Sequence, residues 1–232
     1  MRHIIFDTET TGLDNNLDRI IEIGGVELDN FFPTGRSFHV YISPGDRKVH
    51  PEALAVHGIT DEFLADKPVF AAIVEELSAF FEGAHLVAHN ATFDIGFMNA
   101  EFARLDRPAV EMHRVVDSLA LARRRHPMGP NSLDALCRRY GIDNAHRTKH
   151  GALLDAELLA EVFIEMNGGR QAALGLTAVA DAGDMADPSS SSVSRIARPR
   201  PLPQRLTEAE LAAHAAMVEK LGEAALWRML AE

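Results

Sequence analysis

The run His3-Ile4-Ile5-Phe6-Asp7 constrains this chain most, because it is β-rich and apolar until it ends on an acid, with Glu9 following two residues later. Such a run forms a buried strand. Residues two apart on a strand project from one face, so the carboxylates of Asp7 and Glu9 point the same way. Thr10-Thr11-Gly12 then closes the strand as a polar turn. Residues 19–28 and 37–43 combine β-propensity with alternation, and three early strands suggest an antiparallel meander.

The period then changes. Val69, Ile73, Leu77, Phe80 and Phe81 follow helical spacing, with Pro68 as a first-turn proline. Residues 85–89 read as a short buried strand. Residues 93–104, with Phe93, Ile95, Phe97, Met98 and Phe102, suit a helix packed into a core. Val115-Val116 resembles a last short strand, and helices fit residues 119–125, 132–140 (capped by Asn131 or Ser132) and 151–165. Strands first, then strands mixed with helices, give an α/β class with a mixed sheet.

After Asn167-Gly168-Gly169 large apolar residues thin out and Pro, Ser and Ala dominate, which places the end of the folded domain near residue 168 and a flexible linker over residues 169–205. Thr207-Glu208-Ala209-Glu210 matches a capping box, with Leu206 able to staple onto Leu211. Leu211, Ala215, Val218 and Leu221 then share one helical stripe, and Trp227 follows. A stripe of this kind and the only Trp, carried on a linker, fit docking of residues 206–232 on another chain.

Cys137, the single cysteine, permits no internal disulfide and sits in an apolar-periodic run as a buried thiol. No signal-peptide-like or membrane-spanning run is present, so a cytoplasmic setting is expected. The formal charge of −11 opposes unaided binding of nucleic acid, since phosphate contacts supply most non-specific affinity. Any nucleic acid would be held through metal ions or a partner.

The acids define the chemistry. Paired carboxylates suit hard cations such as Mg²⁺ or Mn²⁺, and two such ions roughly 4 Å apart can stabilise both attacking and leaving oxygens. Alone, an Asp-x-Glu is usually a solvated strand edge, Asp94 could merely complement a helix dipole, and His150 with Asp155 could be capping groups. Asp117 rivals Asp94 as fourth acid, but Asp117-Ser118 also reads as an N-cap. Arg123-Arg124-Arg125-His126 suits either phosphate contact or a solvated helix end.

Together the motifs Asp7-Thr8-Glu9-Thr10-Thr11-Gly12, His89-Asn90-Ala91-Thr92-Phe93-Asp94-Ile95-Gly96-Phe97 and His150-Gly151-Ala152-Leu153-Leu154-Asp155 resemble those of the DEDDh exonucleases, and among them the proofreading branch that serves bacterial DNA polymerase III. The resemblance implies a ribonuclease-H-like fold, two divalent metals held by Asp7, Glu9, Asp94 and Asp155, and His150 as general base. It also implies that Glu52 and His57, with Asp7, Glu9 and Asp155, touch the terminal nucleotide of a DNA 3′ end. Gln171, Leu174 and Leu176 resemble a peptide that docks on sliding clamps. Residues 207–230, including Leu211, Val218, Leu221 and Trp227, resemble a segment that binds the polymerase III alpha subunit, and a small theta-like subunit is compatible with the branch. Two rivals remain open. One is a free-standing DEDDh nuclease acting on RNA ends or oligonucleotides, and the other is a non-catalytic scaffold joining clamp to polymerase.

Overall fold

The computed structural model describes residues 1–145, 147, 149–169 and 207–222. Two compact units divide the chain, Met1–Thr177 and Ala178–Glu232. In the first, five strands form one sheet: β1 (Arg2–Thr10), β2 (Ile20–Asp29), β3 (Phe32–Tyr41), β4 (His85–Ala88) and β5 (Val115–Asp117), in the order β3-β2-β1-β4-β5. The first three pair antiparallel, as a meander, while β4 and β5 join parallel to β1 and to each other.

Helices cover both faces of this sheet: α1 (Pro51–His57), α2 (Asp61–Leu64), α3 (Phe70–Phe81), α4 (Ala91–Arg104), α5 (Ser118–Arg125), α6 (Leu133–Tyr140) and α7 (Ala152–Met166). The period-2 alternation of β1 sorts them into layers. Ile4 and Phe6 enter a core with α3 and α4, whereas Ile5 enters a second core with α6 and α7. Burying one Phe or Ile side chain stabilises by about 1.5–3 kcal/mol, so β1 is anchored from both sides. Cys137 is buried in the second core.

Pro68 does not open α3. Ser43 donates its N–H to the Pro68 carbonyl at 2.9 Å and Ser43 bridges Val69, so this stretch extends the sheet margin and the helix starts at Phe70 with Val69 as N-cap. Ser132, rather than Asn131, caps α6 through its hydroxyl, which accepts the Ala135 N–H.

Two backbone details aim the elements at the end of β1. Asn90 adopts φ 70° between β4 and α4, a left-handed conformation that Asn tolerates better than other non-glycine residues, and the chain turns sharply so that Asp94 falls in the first turn of α4. Gly24 of β2 lies beneath the start of α7, where a Cβ would come within 2.1 Å of the Leu153 nitrogen. Only a residue without a side chain lets the helix sit so close to the sheet.

In the second unit, α8 (Glu208–Leu221) begins with a complete capping box: Thr207 Oγ1 accepts the Glu210 N–H, and Glu210 accepts the Thr207 N–H at 2.8 Å. Leu211, Met217 and Leu221 are exposed and Val218 is half-buried. Leu206, Trp227 and the clamp-like residues Gln171, Leu174 and Leu176 lie outside the described residues. Among the described residues, no helix is long and apolar enough to cross a membrane.

Candidate active site

The strand β1 carries Asp7 and Glu9 to its C-terminal end, opposite Gly24 and Glu22 of β2. From the α7 layer, Asp155 lies in the first turn of the helix seated on Gly24. His150 precedes that helix, exposed, with ligand atoms of Glu9, His150 and Asp155 within 4.8 Å of one another. From the opposite layer, Asp94 reaches the same end, buried, and accepts a hydrogen bond of 2.7 Å from Thr8 Oγ1.

These acids crowd one another. Burial, then Asp94, Glu9 and Asp155, hold the Asp7 carboxyl well above the ordinary carboxylate range. Burial, with Glu22, Asp155 and Asp94, pushes Glu9 up to about 8. Burial raises Asp94 to about 7 even though the Thr8 hydrogen bond opposes the shift. Like charges in a poorly solvated site favour protonation unless a cation joins them. The donors are carboxylate oxygens with one imidazole, a set matched to a hard divalent ion such as Mg²⁺ or Mn²⁺.

Among the described residues, Arg147 brings a cation into this cluster, and sequence reasoning missed it. Arg147, only 8% exposed, places Nε 2.5 Å and Nη2 2.7 Å from the two oxygens of Asp155, and Nη1 2.9 Å from Asp134. Its Nη2 also lies 2.8 Å from His150 Nδ1. A guanidinium can only donate, so one Nη2 hydrogen goes to Asp155 and the other to the imidazole lone pair. His150 Nδ1 and Asp155 Oδ2 themselves lie 3.1 Å apart. The available signal was a cation three residues before the motif histidine.

The substrate candidates sit on α1. Glu52 is exposed and, with Leu13, Leu17, Arg47, His50 and Val56, lines an apolar hollow of about 570 Å³. His57, in the last turn of α1, is buried. Its Nδ1 accepts the Ile59 N–H at 3.0 Å, so Nε2 carries the hydrogen; that buried donor makes no well-formed hydrogen bond among the described residues, although the Thr10 backbone lies near enough to favour its protonated form. The His150 N–H donates to Val56 at 3.3 Å, tying this helix to the histidine.

Asp117 is engaged elsewhere. Its Oδ1 accepts from Leu119 N–H at 2.9 Å and Ala120 N–H at 3.3 Å as N-cap of α5, and from Asn90 N–H at 3.2 Å. His89 turns to Ser118 Oγ, 3.0 Å away. Arg123, Arg124 and Arg125 are exposed in the last turn of α5.

Residues 4–163 match the sequence model of a family described as Exonuclease (RNase_T). A curated relative, DNA polymerase III subunit epsilon of Salmonella typhimurium, is 48% identical over 98% of this chain and 97% of its own. Exonuclease X in complex with 5′-overhanging duplex DNA superposes with a TM-score of 0.54 at 29% identity, covering 71% of this chain and 89% of that one. The nuclease domain of 3′hExo, a DEDDh family member bound to rAMP, superposes with a TM-score of 0.62 at 16% identity, over 72% and 91% of the two chains, and so shares the fold.

Proposed function

The chain belongs to the exonuclease family and, within it, to the epsilon subunits of bacterial DNA polymerase III, and from that premise we propose that it proofreads replication by removing mispaired nucleotides from DNA 3′ ends as 5′-monophosphates. The observation that carries the reading is the convergence at the end of β1 of Asp7 and Glu9 from the strand, Asp94 from α4 on one face, and His150 and Asp155 from the start of α7 on the other.

In this reading Asp7, Glu9, Asp94 and Asp155 hold two divalent ions, Mg²⁺ or Mn²⁺. Bound there, the ions supply positive charge that polarises the attacking water and offsets negative charge on the phosphoryl and leaving oxygens. His150 accepts the proton that water gives up as its oxygen bonds to phosphorus, a task suited to an imidazole near neutral pH. The bond from phosphorus to the 3′-oxygen of the penultimate nucleotide breaks, and that oxygen departs with the shortened strand. The buried Nε2–H of His57 donates to an oxygen of the terminal nucleotide, and Glu52, on the same helix, borders the apolar hollow. Phosphate charge then meets metal rather than the acidic protein surface, which reconciles the net charge with a DNA substrate.

The partners follow the same assignment. Residues 1–168 form the nuclease domain, residues 169–205 a linker whose Gln171, Leu174 and Leu176 dock on the sliding clamp, and residues 206–232 a tail that binds the polymerase III alpha subunit. Leu211, Val218 and Leu221 of α8 supply its apolar contacts, with Trp227 beyond them. A theta-like subunit is a further candidate partner of the nuclease domain. Ending the chain after Gly169 is expected to spare nuclease activity and lose co-purification with the polymerase.

The direct test incubates the protein with a 3′-mispaired primer–template and, separately, single-stranded RNA, each with Mg²⁺ or chelator. Metal-dependent release of deoxynucleoside monophosphate, with little from RNA, is expected. Preference for RNA would replace proofreading with a free-standing RNA-trimming role.

A further inference from the structure

We infer that Arg147 is a built-in counter-cation which grips Asp155 and the lone pair of His150 while the metal site is unloaded, and which must yield Asp155 to a divalent ion for the nuclease to become active. The inference rests on the reading of Asp155 as a metal ligand and of His150 as the base.

The geometry carries it. Arg147 engages both oxygens of Asp155 at 2.5 and 2.7 Å, a fork-to-fork pairing that leaves the carboxylate little freedom to face a second cation. The same Nη2 lies 2.8 Å from His150 Nδ1 and 3.3 Å from Nε2, so it can donate to whichever ring nitrogen carries the lone pair, and a nitrogen receiving that N–H cannot take a proton from water. Metal ligand and base are therefore restrained by one side chain. Arg147 is 8% exposed, so its charge is held inside the acid cluster rather than in solvent.

The third contact supplies the place to which it yields. Asp134, in the first turn of α6, lies 2.9 Å from Nη1 and is 47% exposed, outside the cluster. A guanidinium that gives up Asp155 keeps this anchor, so displacement does not strand an unpaired buried charge. The neighbouring backbone is held independently: the His150 N–H reaches Val56, and Lys149 lies across Gly58 at the end of α1. Arg147 can therefore swing without releasing the segment that carries the base.

The two ends of this exchange respond oppositely to mutation. Removing the charge at Arg147 frees Asp155, so Arg147→Gln binds Mn²⁺ about tenfold more tightly than wild type, and its melting temperature falls in chelator but recovers with saturating Mn²⁺. Removing the outer anchor strands the displaced arginine, so Asp134→Asn binds Mn²⁺ more weakly than wild type. A purely structural arginine would shift both variants toward weaker binding. The experiment measures Mn²⁺ affinity of the full-length proteins by calorimetry and by the electron paramagnetic resonance signal of free Mn²⁺, without substrate. Equal or weaker binding by folded Arg147→Gln overturns the inference. Should that variant be recovered unfolded, equal or tighter binding by Asp134→Asn overturns it. Absence of Mn²⁺ binding by the wild type would instead reject the metal reading itself.

Discussion

Thr8 leaves β1 on the face opposite Asp7 and Glu9, yet its hydroxyl donates at 2.7 Å to Asp94 and so ties the acid of α4 to the strand that carries the other two. A hydrogen bond to a charged acceptor contributes about 1.5–3 kcal/mol. Thr8→Val is expected to lower the nuclease rate and move its pH profile to higher pH, because Asp94 loses the contact that favours its ionised form. Thr8→Ser restores both. An unchanged pH profile for the Val variant would show that the contact has no bearing on Asp94.

Gly24 predicts a different failure. A methyl group there meets the Leu153 nitrogen and the Ala152 carbonyl carbon at 2.1 and 2.3 Å, backbone atoms that cannot turn aside. Gly24→Ala should lift α7, costing about 3 kcal/mol in denaturant titration and most of the activity. A variant with wild-type stability would mean that the helix start adjusts freely.

The acids also set a pH dependence in chelator. Glu9 rises from 4.5 to about 8 and Asp94 from 3.8 to about 7, so the native state keeps protons that the unfolded chain has released. Stability from such groups is lost as pH rises through the folded values. His3, His57 and His89, whose pKa values burial lowers, are largely neutral above pH 7 and contribute little slope there. Between pH 7 and 8.5 the melting temperature in chelator should fall by about 5 °C or more. Saturating Mg²⁺ or Mn²⁺ should remove that fall, since metal binding requires deprotonated ligands. A flat chelator curve would count against the crowding.

Asp94 and Asp117 separate by what each loses. Asp94→Asn is expected to abolish metal-dependent turnover and weaken Mn²⁺ binding. Asp117→Ala removes the cap of α5, costing about 1 kcal/mol while sparing Mn²⁺ affinity. The reverse pattern in calorimetry would exchange their roles.

His150 should behave as a base rather than a ligand. His150→Ala is expected to lower turnover by about 10²- to 10⁴-fold with Mn²⁺ still bound. Near-normal turnover would remove it from the mechanism.

Much of this was legible in the sequence because periodicity reports what is buried. The meander, the α4 segment around Phe97 and the helix ending at Met166 were readable from apolar spacing, and the Thr207 capping box from local chemistry. Pro68 misled because a proline suits a first helical turn as readily as a sheet margin, and a bridge to Ser43 decides between them. The burial of His57 was not legible, because α1 is mostly exposed and nothing local shows the chain that covers this one side chain. Arg147 was invisible for a similar reason: its partners Asp134 and Asp155 come from two helices, and its charge reads alone as one more surface cation.

The placement of Asp94 on one side of the sheet and Asp155 on the other has a bearing on how the chain behaves while it is still being made. Before α7 docks there is no Asp155 and no positioned His150, and before α4 docks there is no Asp94. If the proposed acids and base form the cutting centre, neither half alone would assemble it. On the proposed assignment, a newly synthesised or partly unfolded molecule would leave DNA uncut until both cores have closed.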